Sequence, residues 1–449
     1  MTMRLGYGIG GIRFGPAALA EMAAEAERSG YESVWSSEVN GTDPVALLGW
    51  IAGHTETIGL GSAVLQMSAR SATATAATAA TLCRITGGRF RLGLGISGPQ
   101  VVEGWHGQPF DRPLARMRDY VAVVRLALAG QPVAYDGETT TLPRPGGQGV
   151  PLPVLAGSAR PPYIPIYLAG LGPKAVALAG EIADGLLAIH CPPEYVAQAR
   201  TWLRAGADRG GRDLEGFDLA VMVLVHIDND VKLARDMIRP ALAVFLGGMG
   251  TTTTNFYNRH AHRLGYGAEA TSVQEAFLAG DIDESIAAVS DELIDAMAVC
   301  GSPGSVASRL SDYRAAGCTT FVAGSVAPSA RLRCQQLREL AAVAGTVVHL
   351  RDRPAGRQRI LMNLLTTIGE GEQMTPSVRS GKELASVAPR VPAPQTRWVH
   401  RYAGTVAPLR IEPIVSSLAE ELKFLIDQPF VFFGHSLADR ANAASNQER

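Results

Sequence analysis

Residues 87–107 read GGRFRLGLGISGPQVVEGWHG and contain the strand that decides the fold. The apolar run Phe90–Ser97 indicates a buried strand, and from Ser97 it continues into a Ser-Gly-Pro sequence. Small residues at such a point let a flat or anionic ligand approach the backbone closely. The spacing also allows a simpler interpretation, in which Gly93 and Gly95 only relieve crowding around the strand.

The same kind of strand recurs along residues 1–344, where short apolar runs alternate with amphipathic helical stretches. This alternation is typical of an α/β fold with a parallel sheet covered by helices. The predicted strands are Arg4–Gly10, Ser33–Val39, Ile58–Gln66, Phe90–Ser97, Ile164–Gly170, Gly185–His190, Leu219–Ile227 and Thr320–Ser325. No G-x-G-x-x-G turn follows the first strand, which argues against a doubly wound sheet. We therefore predict a closed (β/α)8 TIM barrel.

Two connections are too long to be simple barrel loops. They are Gly98–Pro162, with a helix predicted near Leu114–Ala129, and Gly247–Gly301, and they follow the fourth and seventh strands. Loops that follow strands build the active face of a TIM barrel, and long ordered loops usually carry function. The Pro/Gly-rich stretch Leu142–Pro153 predicts an irregular flap that covers a cofactor or substrate.

The composition is that of an ordinary globular protein, with 47% hydrophobic residues and a formal net charge of −1 over 449 residues. The sequence therefore predicts no nucleic-acid partner and no membrane partner, because such proteins carry a concentrated basic face. The five cysteines are widely spaced and include no C-x-x-C pair, which indicates a reduced cytoplasm and no metal site. No apolar run reaches the roughly 18 residues of a membrane-spanning helix.

Several separated motifs, occurring in one order, closely resemble those of the luciferase-like oxidoreductases that depend on the deazaflavin coenzyme F-420. They are residues 87–107, Phe110–Arg116, Ile164–Ala175, Gly247–Gly250 and Asn255–Tyr257. The resemblance covers roughly residues 3 to 330 and implies hydride transfer between coenzyme F-420 and a small organic substrate. It also implies a homodimer. The alternative on the same fold is an FMN-dependent monooxygenase that works with a flavin reductase.

The turn Gly170–Lys174 leads from a strand into a helix that begins with Pro173. Free N–H groups and the positive end of a helix dipole suit a phosphate, although many helices begin this way without binding anything. The family resemblance implies that Gly170, Gly172 and Lys174 contact the phosphate-bearing side chain of the cofactor.

The run Ile58–Gln66 is by itself only a buried strand. In the family it bulges through a cis non-prolyl peptide bond that presses against the middle ring of the deazaflavin. The resemblance implies that this bond joins Ala63 and Val64. The remaining predicted cofactor contacts are Gly8, Ser97 and Gly98.

A polar cluster ends the second strand, and its first carboxylate is Glu38. A carboxylate at a strand end is commonly solvated or salt-bridged, but some relatives place an acid/base histidine here. A carboxyl group in a dry pocket can deliver a proton near neutrality, so Glu38 is the predicted catalytic residue. His106, His190 and His226 are other candidates.

Residues 345–449 form an extension foreign to the barrel fold, with Arg379–Gln395 as a predicted linker. The stretch Gln428–Leu437 resembles the strand of a type II thioesterase that leads to its nucleophile, here Ser436. Ala438 replaces the usual glycine, and the chain has no room for a following acid and base. The extension is therefore predicted to be non-catalytic, with a hydrolase or an acyl-carrier docking module as the alternative of another class.

Overall fold

A computed structural model describes residues 3–10, 14–39, 41–154, 162–251 and 253–345. The strands in this part of the chain are β1 (Arg4–Ile9), β2 (Ser33–Ser36), β3 (Gly59–Ser62), β4 (Leu65–Gln66), β5 (Phe90–Gly95), β6 (Tyr135–Asp136), β7 (Thr141–Leu142), β8 (Ile166–Ala169), β9 (Gly185–Ile189), β10 (Asp218–Ile227), β11 (Ala298–Gly301) and β12 (Thr320–Ser325).

The helices are α1 (Pro16–Arg28), α2 (Pro44–Ala52), α3 (Ala72–Ile85), α4 (Pro99–Val102), α5 (Pro113–Leu128), α6 (Pro173–Ile182), α7 (Pro193–Arg209), α8 (Val231–Ala243), α9 (Phe256–Arg263), α10 (Gly267–Ala279), α11 (Ile282–Ala287), α12 (Asp291–Met297), α13 (Pro303–Ala316) and α14 (Ala330–Val343). A π-helical turn at Val244–Gly248 continues α8. No helix within the described ranges is long and apolar enough to cross a membrane.

A closed parallel barrel forms the centre of the described structure. Its strands pair in the order β1, β2, β3, β5, β8, β9, β10 and β12, and β12 pairs with β1 to close the ring. In the closing pair Tyr7 lies opposite Ala323, and on the other side of β1 the same residue lies opposite Val34. The predicted eight-stranded barrel is confirmed.

The structure differs from the predicted strands in three places. The third predicted strand is two strands, β3 and β4, separated at Ala63 and Val64. The short strand β11 pairs with the end of β10, and β6 and β7 form a small hairpin. The sequence does not predict β6, β7 and β11, because runs of two to four residues inside long connections show no period.

Side chains from the inner faces of the strands fill the lower part of the barrel. The largest is Trp35, which is 1% exposed and donates from Nε1 to Oγ of Ser33 (2.9 Å). A Cβ atom at position 61 would overlap the indole ring, so Gly61 makes the space that Trp35 occupies. The other members of this inner cluster are Tyr167, Leu187, Ala220 and Val322.

A polar network closes the N-terminal end of the barrel around the buried carboxylate of Asp218. This carboxylate accepts hydrogen bonds from the hydroxyl groups of Tyr167 (2.9 Å) and Thr320 (2.8 Å), and Arg4 forms an ion pair with it (2.8 Å). With this end sealed, a ligand reaches the barrel interior from the opposite, C-terminal end, where TIM-barrel enzymes place their active sites.

Both long insertions predicted from the sequence are present at that end. The first contains α4, α5 and the β6–β7 hairpin, and residues 143–154 are irregular, as predicted for the flap. The second contains the π-helical turn and α9 to α12, which share a separate apolar cluster. The predicted linker and thioesterase-like stretch, including Ser436, lie outside the described residues.

Candidate active site

The inner face of the barrel opens to solvent at the C-terminal end. Along β10, Ala220 is buried, whereas Met222 and Leu224, one and two steps further along the same face, are partly exposed. The same partial exposure is found at the end of the neighbouring strands, at Gly8, Ala63, Val64, Ala169, Ile189 and Gly324. Small and apolar residues thus form an accessible floor, and predicted cofactor residues Gly8, Ala63 and Val64 lie on it.

The bulge between β3 and β4 supplies part of this floor. The peptide bond between Ala63 and Val64 is cis, which confirms the bond type that the resemblance implied. The N–H of Ala63 donates to the carbonyl of Ser36 (2.7 Å), and the carbonyl of Val64 accepts from the N–H of Glu38 (3.2 Å). These two hydrogen bonds fix the bulge to the end of β2.

Two residues just past the ends of barrel strands have a left-handed backbone. Ser97 follows β5 with φ 57°, and His190 follows β9 with φ 54°. Residues other than glycine adopt this conformation rarely, and such residues are concentrated at functional sites. Gly98 is the N-cap of α4, and a Cβ atom there would lie 3.9 Å from the ring of Phe256. Ser97 and Gly98 therefore lie where the first insertion leaves the barrel, beneath α9.

Asn255 explains why α9 begins where it does. Its side-chain oxygen accepts from the N–H groups of Tyr257 (2.9 Å) and Asn258 (3.0 Å), and its amide nitrogen donates to the carbonyl of Leu246 (2.8 Å). One buried side chain thus caps α9 and joins it to the π-helical turn. With Phe256 near Gly98, α9 reaches over the barrel mouth.

A group of hydrogen-bond donors with no side-chain acceptor lies where β8 leads into α6. Gly172 is the N-cap of α6, so no side chain caps the first N–H groups of the helix. A guanidinium nitrogen of Arg263 lies 3.7 Å from the position that a Cβ atom of Gly172 would take. The side chain of Arg263 makes no hydrogen bond or ion pair within the described residues. Helix dipole and guanidinium together favour an anion at Gly170–Gly172.

The sequence could not single out Arg263, because only the folding of the second insertion brings it to α6. The side chain of Lys174 does not lie at the mouth with Gly170 and Gly172. Its exposed side chain lines a groove on the outer helix layer, between α5, α6 and α7. The structure thus brings Gly170 and Gly172 to the mouth, and places Lys174 beside them on the outer surface.

The carboxylate of Glu38 is held by donors on both oxygens. Oε1 accepts from the guanidinium of Arg70, and Oε2 accepts from the N–H of Gln66 (2.7 Å). The side-chain amide of Gln66 donates to the carbonyl of Glu38 (3.0 Å), and its oxygen faces Nε2 of His106 (2.9 Å). An amide oxygen only accepts, so this arrangement places the proton of a neutral His106 on Nε2. Glu38, Gln66 and His106 form one polar edge of the mouth.

The other two candidate histidines lie in dry surroundings. Burial lowers the pKa of His190 to about 3, and its ring contacts Phe245 (4.5 Å between centroids). The backbone of Met297 is near, but neither ring nitrogen of His190 makes a hydrogen bond of acceptable geometry within the described residues. Burial also lowers the pKa of His226. His106, at the polar edge, is the better placed of the three for proton exchange.

A neighbouring cavity of about 450 Å³ adjoins this polar edge. It lies between the loop that follows β4 and the first insertion, and both polar and apolar side chains line it, among them Met67, Arg70, Ile96, Phe110, Arg116 and Tyr120. Because Arg70 holds Glu38 and also lines the cavity, the two sites share a wall.

Comparison with known proteins places this barrel in a family. The family model of luciferase-like monooxygenases matches residues 2–320. A Mycobacterium tuberculosis protein named as a coenzyme F-420-dependent oxidoreductase is 40% identical over 333 residues, which cover 72% of this chain and 93% of that protein. The 5,10-methylenetetrahydromethanopterin reductase of Methanolobus tindarius is 30% identical over 321 residues, covering 70% of this chain and 93% of the reductase.

Solved structures share the fold. The F-420-dependent tetrahydromethanopterin reductase of Methanopyrus kandleri has a TM-score of 0.64 at 24% identity, covering 76% of this chain and 98% of that one. A secondary alcohol dehydrogenase, solved with an F-420–acetone adduct, has a TM-score of 0.62 at 19% identity, covering 77% and 99%. The closed barrel agrees with the match over residues 2–320, and the chain belongs to the luciferase-like monooxygenase family.

Proposed function

We propose that this protein is an oxidoreductase that transfers a hydride between coenzyme F-420 and a small organic substrate at the C-terminal mouth of the barrel. The observation that carries the proposal is the floor of small residues at the mouth. It consists of residues with small side chains or none, such as Gly8, Ala63 and Gly324, and the side chain of Val64 lies against Gly95. A planar ring system fits such a surface, and the deazaflavin supplies the hydride chemistry when it is bound.

The anion-binding turn supports the same assignment. A phosphate on the cofactor would be held by the N–H groups at Gly170–Gly172 and by Arg263, which lies near the N-cap of α6. Ser97 and Gly98 would border the ring where the first insertion leaves the barrel. Two relatives, the Mycobacterium tuberculosis protein and a glucose-6-phosphate dehydrogenase of Nakamurella multipartita, carry names that include F-420, which favours this coenzyme over FMN.

For proton transfer we propose Glu38 as the acid/base, with His106 as the alternative. Glu38 lies at the mouth beside Val64, but Arg70 and Gln66 hold both of its oxygens. His106 is joined to the same group through Gln66. Glu38→Gln and His106→Asn variants separate the two roles, because loss of turnover with retained coenzyme binding identifies the group that moves the proton.

The cavity of about 450 Å³ beside Arg70 is the proposed substrate site. Its mixed lining suits a molecule with an apolar body and a polar group, and we propose substrates of the CH–OH or CH–NH/C=C type. A cytoplasmic location and a homodimer remain predictions from the sequence.

The test uses chemically reduced coenzyme F-420 and a panel of ketones, imines and activated alkenes under anaerobic conditions. Return of the visible absorbance of the oxidised deazaflavin, dependent on the protein and on one class of acceptor, is the expected result. Turnover that requires FMNH2 and consumes oxygen would instead establish the monooxygenase. Inactivity with both reduced cofactors across the panel would contradict the proposed hydride transfer to these acceptors.

A further inference from the structure

The guanidinium group of Arg333 is a buried cation that has no carboxylate partner within the described residues. Arg333 is the fourth residue of α14 and is only 7% exposed. Its Nε donates to the carbonyl of Ala327 (2.8 Å), and its guanidinium carbon lies 4.7 Å from the centre of the Phe14 ring. The positive end of the α14 dipole lies at the same place and adds to the charge. The cation is therefore only partly compensated.

The hydroxyl group of Tyr7 is near the guanidinium but supplies no negative charge. Burial raises the pKa of this hydroxyl, and the opposing effect of Arg333 does not restore its ordinary value, so the hydroxyl is neutral at neutral pH. Burying a cation is unfavourable unless an opposite charge and hydrogen bonds replace its hydration. The remaining N–H donors of Arg333 suit a carboxylate or a phosphate, which a guanidinium binds through two parallel hydrogen bonds.

One side of the guanidinium borders open space at Gly10, which is exposed and directly follows β1. Nη1 of Arg333 lies 3.7 Å from the position that a Cβ atom of Gly10 would take. Among the described residues, apart from the chain neighbours of Gly10, no other heavy atom lies within 4 Å of that position. The space between Gly10 and Arg333, called here the Gly10 notch, is thus open on one side and has a cation on the other.

The Gly10 notch lies beside the proposed acid/base. In the pair of β1 and β2, Ile9 lies opposite Ser36, so Gly10 and Glu38 both come just after the ends of two adjacent strands. Adjacent strands are about 4.8 Å apart. On its other side Glu38 is held by Arg70, which lines the cavity of about 450 Å³. The notch, the acid/base and the cavity therefore follow one another along the rim of the mouth.

We propose that the Gly10 notch binds an anionic group of the substrate, a carboxylate or a phosphate, through the guanidinium of Arg333. The proposal rests on the proposed function, because it places the reacting carbon of that substrate near Glu38. It narrows the substrate class to anions in which a few bonds separate the charged group from the reacting carbon. It also adds Arg333 as a substrate-binding residue.

The first experiment needs no coenzyme and measures the Tm of the full-length protein in rising concentrations of acetate or inorganic phosphate, with chloride keeping the ionic strength constant. An anion that binds only the folded chain raises the Tm until its site is saturated. We expect a saturable rise in the wild type. Arg333→Met retains an apolar side chain of similar length without the charge, and it should lose this rise. Any general effect of the salts on stability is common to both proteins.

A second variant keeps Arg333 and is informative even if Arg333→Met does not fold. Gly10→Asp places a carboxylate of the protein itself in the notch. We expect a higher Tm than in the uncharged counterpart Gly10→Asn, because the added charge pairs with the buried cation. We also expect Gly10→Asp to lose the anion-dependent rise in Tm.

Two matched controls should retain that rise. Arg331→Gln removes an exposed cation from the same end of α14. Gly49→Asp adds the same carboxylate at a position of α2 where a Cβ atom meets nothing within 4 Å. No rise in the wild type, or an equal rise in the wild type and Gly10→Asp, would overturn the notch as an anion site.

The second experiment identifies the source of the anion. Keto acids are compared with their methyl esters, and phosphorylated ketones with the parent ketones, as acceptors for reduced coenzyme F-420. We expect the KM of the anionic member of one pair to be at least about tenfold lower. Arg333→Met should raise that KM to the value of the uncharged member and leave kcat little changed.

The outcomes separate this proposal from the proposed function. A rise in Tm with free anions, but no lower KM for anionic acceptors, would overturn the assignment of the notch to the substrate. Inactivity with every acceptor would overturn the proposed hydride transfer and not the anion site, because the Tm measurement requires neither coenzyme nor turnover.

Discussion

The γ2 methyl group of Val64 occupies the space that a side chain at position 95 would need. The two residues fit together because position 95 is glycine, and their contact joins the bulge after β3 to the inner face of β5. The bulge at Ala63 and Val64 is thus fixed in two ways. The side chain of Val64 packs against Gly95, and backbone hydrogen bonds join the bulge to the end of β2.

We expect Gly95→Ala to displace Val64 from the floor. Overpacking of this kind costs about 1–3 kcal/mol of stability, and it should weaken coenzyme F-420 binding at least about tenfold. Urea unfolding and fluorescence titration measure the two effects. The matched control is Gly49→Ala in α2, where an added methyl group meets nothing within 4 Å. It should stabilise the protein by up to about 1 kcal/mol and leave binding unchanged. Unchanged affinity in Gly95→Ala would contradict the proposed floor.

The network around Asp218 predicts a change that affects stability and leaves the active face intact. Asp218→Ala leaves the buried hydroxyl groups of Tyr167 and Thr320 without their acceptor, and we expect each unsatisfied group to cost about 1–3 kcal/mol. Tyr167→Phe removes one hydrogen bond and should cost about 1 kcal/mol. Chemical denaturation measures both. Coenzyme affinity of the folded fraction should stay at the wild-type value, and a marked loss would show that the two ends of the barrel are coupled.

The pair formed by Glu38 and Arg70 should contribute measurably to stability, because the side chains are only 12% and 19% exposed. In a double-mutant cycle with Glu38→Gln and Arg70→Gln we expect a coupling free energy of about 0.5–3 kcal/mol. The exposed pair of Lys232 and Asp236 is the control, and it should show no measurable coupling. An equal result for the two pairs would mean that Arg70 does not hold Glu38 in solution.

The buried histidines predict a loss of stability in acid. Burial lowers the pKa of His190 to about 3 and that of His260 to about 4, whereas histidine in an unfolded chain has a pKa of about 6.5. Between these values the unfolded chain binds protons that the folded chain does not. The contribution to stability is therefore complete above about pH 6.5 and decreases as the pH falls, by up to about 1.4 kcal/mol per pH unit for each histidine.

Urea unfolding at about pH 6.5 and about pH 5 tests this, with His260→Gln as the variant. His260 contacts the His190 carbonyl (3.2 Å) and the Cys191 sulfur (3.5 Å), so the variant is less stable at both pH values. We expect the free energy of unfolding of the variant to fall less between the two pH values than that of the wild type. An equal decrease would show that His260 does not titrate as its burial implies.

The sequence predicts the barrel well because residues that are adjacent in the chain indicate each strand and each helix. Each strand is a short apolar run followed by a helix with its own start, such as Pro173 in α6, and eight such units in one order leave few topologies. The cis bond at Ala63–Val64 was predicted only through family resemblance, since nothing in the residues themselves specifies it. The structure confirms that this peptide bond is cis, and its contact with the cofactor remains a prediction.

The parts that the sequence did not predict depend on contacts between distant segments. Arg263 reaches Gly172 through the folding of the second insertion, and Arg70 reaches Glu38 across 32 positions. The outward direction of Lys174 follows from its place on the first turn of α6, which faces the groove beside α5 and α7. No periodicity or motif reports such relationships, because they arise when elements pack together.

The most direct test of the account is a titration of the full-length protein with coenzyme F-420 and, separately, with FMN, followed by ligand fluorescence. The account predicts saturable binding of F-420 that is at least about tenfold tighter than that of FMN and that is weakened by Gly95→Ala and by Arg263→Gln. Tighter binding of FMN, or F-420 binding that neither substitution changes, would contradict the claim that the mouth of this barrel is a deazaflavin site.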